Sequence, residues 1–519
     1  MENRMNVSYL KNTKCADVYT ESQTDYTLPE YQADVRKILF SDVVLRPSGR
    51  FAGGETVEVS GVAVYTVVYL DAEGDISSVE FTSDYDYSVK CSSDSYKDSV
   101  ADTRVANFAV RLVGPRKMSA KASLVGSVRL TECLEMSVLG DAFLSDMSPE
   151  VDTVSAKIRQ SMPSSVTERE YAECITRLDG AIADEVKVVY CNCESMVESV
   201  DQAEDSVSVK GKLRMLAVIK NADEPAYSVE KHINFEESVE LEGASASVHI
   251  APDLQVASLK PSINADEGGC EVVLSGIVEL CVIAEGNQQV ELIRDGYLVD
   301  CPTDNSYHGF DYTNLIDVIS VSESHNAEVG RTELDSEGLK DVVFLTATPR
   351  VEGIDMSDGV AHIYGEVRYS GVVSEMLDDR ISYSGVKFSS PFDINVNTGC
   401  QNNDKIHIEP VIHTSNVSAS VDAEKLYVSC NLNGELTLCE DKSLCVLSSM
   451  TRVMDESDNT DGAKITVYYP SADESLFSVA KRFRTPILKV AKDNDITESV
   501  FADDNHGGNL SGVKRLIIY

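Results

Sequence analysis

The sequence predicts a mainly β protein, with tandem antiparallel β-sandwich or barrel-like units followed by a small α+β module of βααβ order. Three observations carry that prediction. Alternating apolar segments centred on a glycine recur along the chain: VEVSGVAVYTVVY around Gly61, VSVKGKLRMLAVI around Gly211 and AHIYGEVRYSGVV around Gly365. Such alternation marks a half-buried strand. A second set comprises ASLVGSVRLTE around Gly126, EVVLSGIVELCVI around Gly276, and LYVSCNLNGELTL with Cys430 in the glycine's place. Each member stands 65 residues after its counterpart in the first set. From Lys464 onward the texture changes to strand, helix, helix, acidic glycine-rich loop and strand.

The first-set glycines are 150 and 154 residues apart, so the simplest reading is three units, each with two related halves. A chain of 519 residues also exceeds one core at roughly 100–200 residues per domain. The units fall at 1–148, 149–300 and 301–463, with the terminal module at 464–519. Ser78-Val79-Glu80 and Ser228-Val229-Glu230 both lie eighteen residues past their glycine, where the third unit has drifted to Ser382-Tyr383-Ser384. Each half reads as a strand, a loop rich in Gly, Asp, Glu or Ser, and then the glycine-centred strand. Before the terminal module helical periodicity is scarce, apart from a turn or two at Glu30 to Leu39 and a stretch near Ser165 to Ile175. A repeat this long denotes a string of domains, not a solenoid. The repeated glycine marks a bulge, a bend or a close backbone approach. Sheets of this kind also leave edges available for pairing.

A net charge of −41 argues against nucleic acid and anionic membrane surfaces as partners. No apolar run reaches the ~18 residues of a membrane span, and the Met-Glu-Asn-Arg-Met start lacks a signal-peptide profile. The expectation is a soluble protein retained by the cell that makes it. Thirteen scattered cysteines form no disulfide framework and read as reduced, buried thiols. There is no phosphate-cradling glycine loop, H-E-x-x-H or G-x-S-x-G, so no catalytic residue and no cofactor are nominated. Cys191 and Cys193 would share one strand face, but a closed zinc site needs a second ligand pair, and no metal site is nominated. His407 and His413 would likewise share a face. The acidic runs Glu198 to Asp205 and Asp455 to Asp461 lack calcium-loop order and read as solvated loops.

The terminal module has its own charge balance: eight Lys and Arg against seven Asp and Glu leave it at +1 and the remainder at −42. In DESLFSVAKRF, Leu476, Phe477, Val479, Ala480 and Phe483 suit one face of a short helix. Thr485-Pro486 separates it from a second helix. Leu476, Val479, Ala480, Phe483, Ile487 and Leu488 are read as core. Consecutive Leu476 and Phe477 cannot both point inward, so Phe477 either lies at the rim as a partner anchor or completes a small core.

On Ile465 and Val467, Glu474 to Phe477, Val479 to Phe483, Asn494, Ser511-Gly512, Leu516 and Ile517, the module resembles a LysM domain. LysM domains commonly bind N-acetylglucosamine polymers between their first turn and last loop. Here Asp473 and Glu474 replace the family's glycine and aspartate, and Asp503 to Gly508 lengthen the last loop, which favours a protein-binding use. The partner-binding surface nominated on that resemblance comprises Asp473, Glu474, Ser475, Phe477, Lys481, Arg484 and Asn494.

LPEYQADVRKIL, with Leu28, Pro29, Glu30, Asp34, Val35 and Ile38 on the pattern, resembles the opening signature of the SPOCS domains of clostridial spore-forming bacteria. The later units are assigned through the repeat spacing. SPOCS-like units followed by one LysM domain resemble the clostridial spore-coat morphogenetic proteins. The resemblance implies a non-enzymatic protein of the mother-cell cytoplasm, at the forespore surface or in the spore coat. Its LysM domain would contact a SpoIVA-type morphogenetic ATPase, with other coat proteins or a second copy as further partners. The alternative is a glycan-binding LysM protein of the cortex or cell envelope.

Overall fold

The computed structural model describes residues 4–53, 56–90, 98–139, 148–163, 166–203, 205–222, 224–241, 248–334, 338–377, 380–400, 404–422, 425–453, 465–471, 474–496, 510 and 513–519. It is mainly β, and every strand pairing in it is antiparallel.

The first stretch of chain supplies β1 (Arg4–Lys14), β2 (Val18–Thr27), β3 (Val35–Gly53), β4 (Thr56–Asp71), β5 (Ile76–Lys90), β6 (Asp98–Gly114) and β7 (Lys117–Leu139). Strands β3-β4-β5 make one sheet. In the other, β7 lies between β6 on one edge and β1 with β2 on the opposite edge. The plan recurs in β8 (Glu150–Pro163), β9 (Thr167–Asp179), β10 (Val186–Gln202), β11 (Ser206–Asn221), β12 (Tyr227–Glu240), β13 (His249–Asp266) and β14 (Gly269–Tyr297). There β11 is central to one sheet and β14 to the other. It recurs again in β15 (Thr303–Gly330), β16 (Leu339–Ser357), β17 (Val360–Leu377), β18 (Arg380–Asn397), β19 (Ile406–Asp422) and β20 (Lys425–Arg452), with continuous β15 replacing the paired edge strands. Within each group the two sheets pack apolar faces together, around one cluster in the first and third groups and two in the second. In the first, Val57, Tyr65 and Val67 of β4 meet Met118, Ala122 and Leu124 of β7.

Gly61, Gly211 and Gly365 sit in the central strands β4, β11 and β17, each directly opposite an aromatic residue: Tyr85, Phe235 and Phe392. A Cβ at any of the three would collide with that ring and with a carbonyl of the preceding strand. That strand bulges beside each glycine, between Pro47 and Gly49, Val197 and Ser199, and Val351 and Gly353. The glycines are therefore close-approach positions, where the ring covers backbone that a side chain would otherwise occupy. At the β16–β17 turn, Asp358 and Gly359 take φ of 50° and 78°, the left-handed pair that a two-residue hairpin requires.

The three groups close head to tail. Strand β5 packs on β10, β12 on β16, and β18 on β3. At their centre Phe40, Tyr190 and Phe344 form an aromatic triad. Phe40 meets Tyr190 at 5.3 Å and Phe344 at 5.0 Å edge-on, and Tyr190 stacks on Phe344 at 4.3 Å. These positions are 150 and 154 residues apart, the spacing of the glycines, so the contact follows a pseudo-threefold ring. Each triad residue follows a bulge, at Ile38/Phe40, Val188/Tyr190 and Val342/Phe344. The bulge lets the consecutive pairs Leu39-Phe40, Val189-Tyr190 and Val343-Phe344 all enter the junction. The junction also explains why β4 changes from alternating burial to near-continuous burial past Ala63. One face covers its partner sheet, and the other, through Val68 and Leu70, covers the ring centre. A second three-way contact joins Leu139, Ile293 and Leu447 on the long strands β7, β14 and β20.

Two expectations are corrected. Glu30 to Leu39 is not helical: Gln32 N–H closes a turn on the Pro29 carbonyl, and β3 begins at Val35. Arg116 fixes that turn, donating to the carbonyls of Pro29 and Gln32 and to Asp34 at 2.8 Å. Nor is the second stretch helical. Ser165 lies outside the described residues, and Thr167–Asp179 is β9, paired along β14. Tertiary pairing overrides the weak local helical pattern in both.

Candidate functional site

The C-terminal residues fold as β21 (Thr466–Tyr468), α1 (Leu476–Phe483), α2 (Ile487–Asp493) and β22 (Leu516–Ile518), with β21 and β22 paired. Leu476, Val479, Ala480, Val490, Leu510, Leu516 and Ile518 form their interior. Leu488, read as core, is exposed.

Most of the nominated residues hold this module together. Ser475 is the N-cap of α1, its hydroxyl accepting the Ser478 N–H at 3.1 Å. The Glu474 carboxylate accepts the Tyr468 hydroxyl at 2.7 Å and pairs with Arg482 at 3.0 Å, and Arg482 also lies over the Tyr468 ring. Arg484 ends α1 in the left-handed region with φ 48°, while Thr485 N–H closes back on the Ala480 carbonyl at 3.0 Å. Asn494 donates to the Val490 and Ile517 carbonyls at 2.8 Å and accepts Ile517 N–H at 2.6 Å, tying α2 to β22. Asp473 lies outside the described residues, as do Asp503 to Gly508 and Ser511-Gly512.

Phe477 and Lys481 point elsewhere, to the end of β14. Phe477 is only 4% exposed and meets the Tyr297 ring edge-on at 5.4 Å, so it is not at an open rim. Tyr297 is itself buried, its hydroxyl donates to the Thr485 carbonyl at 2.7 Å, and burial holds its pKa above the usual tyrosine range. The Lys481 ammonium sits 2.5 Å and 2.6 Å from the two oxygens of Asp295, which also accepts the Tyr307 hydroxyl at 2.7 Å. Glu150, at the start of β8, takes the Ile487 N–H, and burial raises its pKa. Sequence reasoning missed Asp295, Tyr297, Glu150 and Tyr307 because they lie some 170–340 positions from the residues they touch. The one local signal is the broken alternation of Ile293-Arg294-Asp295-Gly296-Tyr297, where β14 shifts register.

The outward face of the β21–β22 pair remains uncovered: Ile465, Val467 and Tyr469 are 57%, 50% and 70% exposed, with Tyr519 exposed beside them.

Elsewhere the thiols of Cys191 and Cys193 share a strand face on β10 and are pushed up to about 12, chiefly by burial. Metal ligation needs a thiolate, which such surroundings disfavour. Among the described residues no group of three His, Cys, Asp or Glu could hold a metal ion. His407 and His413 lie on β19, His407 3.7 Å from Asp441 and His413 opposite Asn433. Of the acidic runs, Glu198 and Asp201 pair with Lys212 and Lys210, while Asp455 to Asp461 lies outside the described residues. Among the described residues no helix is long and apolar enough to cross a membrane.

No family model matches the chain, and no curated protein matches it.

Proposed function

We propose that the chain is a non-enzymatic spore-coat morphogenetic protein of the SipL type. In this reading it acts in the mother-cell cytoplasm, binds a SpoIVA-type ATPase through its terminal module and promotes encasement of the forespore by the coat. The single observation carrying the reading is the order of parts: repeated β units opened by LPEYQADVRKIL and closed by a strand-helix-helix-strand module that resembles LysM. The closed ring supports it, because the strands β3, β5, β10, β12, β16 and β18 are engaged with one another while the module presents a surface of its own.

The test is capture of a purified SpoIVA-type ATPase by the full chain and by a chain ending at Val453. Loss of capture on truncation, with the melting of the remaining body unchanged, is the expected result. Retained capture refutes the module as the contact. Saturable binding of chitooligosaccharides by the full chain, without ATPase capture, would favour the glycan-binding alternative.

A further inference from the structure

The α1 face nominated for a partner is covered by the chain's own body. Phe477 lies against Tyr297, Lys481 against Asp295 and Tyr307, and the Ile487 N–H against Glu150. The interior of the module is supplied mostly by its own residues: Leu476, Val479, Ala480 and Leu516 are fully buried in a cluster with Val490, Leu510 and Ile518. Among the described residues Tyr297 is the one body residue in that apolar cluster. Among the described residues the contact includes the Phe477–Tyr297 ring pair, the Lys481–Asp295 ion pair, and hydrogen bonds from Tyr297 to the Thr485 carbonyl and from Lys481 to Tyr307, with the ion pair a quarter to a third exposed. Polar contacts of this kind, with a partly exposed ion pair, are suited to opening, as contacts between domains of one chain commonly are. Charge also draws the parts together, because a module of +1 sits on a body of −42.

We propose that Tyr297, Asp295 and Glu150 form a latch that holds the module in cis with its Phe477–Lys481 face covered, and that a partner recognising this face binds only when the latch opens. The partner half of this statement rests on the functional reading above, whereas the latch stands on the contacts alone. Salt weakens the Lys481–Asp295 pair and opens the latch. Removing the Asp295 charge and the Tyr297 hydroxyl opens it with every residue of the module unchanged.

The experiment uses the full chain, as wild type, Asp295→Asn, and the double variant Asp295→Asn/Tyr297→Phe. Acetylation of Lys481 by a water-soluble acylating reagent is followed by mass spectrometry, with exposed Lys492 of the same module as internal reference. In the wild type Lys481 should react roughly fivefold more slowly than Lys492, approaching it at high salt and in the variants. Equal rates in the wild type overturn the latch. Asp295→Asn alone keeps the test valid if the double variant melts early. Capture of the SpoIVA-type ATPase is then compared: affinity about tenfold higher in the variants supports the latch, this being the equivalent of about 1.4 kcal/mol. Faster Lys481 labelling with unchanged affinity overturns the competition and moves recognition to the outward sheet face. If neither chain is captured while labelling still rises, the assigned partner is wrong and the latch stands.

Discussion

Truncating Phe344 to alanine should uncouple the ring. Phe344 is 3% exposed and touches Phe40 and Tyr190, which arrive from the other two strand groups. Phe→Ala in a core costs about 3–5 kcal/mol through lost burial and the cavity left behind. The upper part of that range applies here. Strand β16 is pinned by its pairing to β17, and the void would be walled by three sheets that cannot all move in. Of the total, about 0.5–1.5 kcal/mol belongs to each aromatic pair beyond area burial, which a Phe40→Ala/Phe344→Ala cycle would recover as coupling. The assay is urea unfolding followed by intrinsic tyrosine fluorescence and far-UV circular dichroism. The wild type should unfold with its three groups coupled, and the variant should lose about 4 kcal/mol with a first transition of reduced m-value as one group separates. A loss below about 1 kcal/mol with an unchanged single transition would refute the view that the triad holds the groups together. Phe310→Ala, at the separate seam between β8, β14, β15 and β20, is the control: it should destabilise without coupling to Phe40.

Other outcomes follow from the same geometry. Gly211→Ala should cost more than about 3 kcal/mol, because its Cβ would collide with the Met196 carbonyl and the Phe235 ring. Gly309→Ala, with nothing within 4 Å, should be neutral or stabilising by about 0.5 kcal/mol, and equal melting temperatures for the two would contradict this. Cys191 and Cys193, pushed up to about 12, should resist iodoacetamide at pH 8 while exposed Cys445 alkylates, as peptide mass spectrometry of the native chain would show. His249 is held above its ordinary pKa first by its hydrogen bond to Glu435, which is joined by the charges of Glu285 and Asp317. Its stabilisation is complete below about pH 6.5 and lost as pH rises through the folded-state value, so His249→Gln should cost up to about 1 kcal/mol at pH 5.5 and little at pH 9. His413 lies near the charge of the same Glu435, but burial lowers its pKa. Its contribution has the opposite sign, lost as pH falls below about 6.5, so His413→Gln should flatten the acid limb of urea midpoints measured against pH.

The β class, the repeat and the glycine-centred strands were legible in the residues alone. A side chain alternates in or out on its own strand, and the glycines record where a facing ring must fit. Gly61, Gly211 and Gly365 therefore marked strands with a bulge or close backbone approach, and the sheet order placed those strands at the centre. The terminal helices were legible too, because the Leu476–Ala480 spacing and the Thr485-Pro486 break are local. Which faces meet at long range is written in no local pattern. Phe40, Tyr190 and Phe344 share the repeat spacing, yet their meeting depends on bulges and on the closure of three groups. Helical spacing at Glu30 to Leu39 yielded to pairing with β4 and to the grip of Arg116. Phe477 and Lys481 read as a free binding face because their burial is supplied by Tyr297 and Asp295, some 180 residues earlier, and a periodicity within α1 holds no record of a surface that comes to it from another strand.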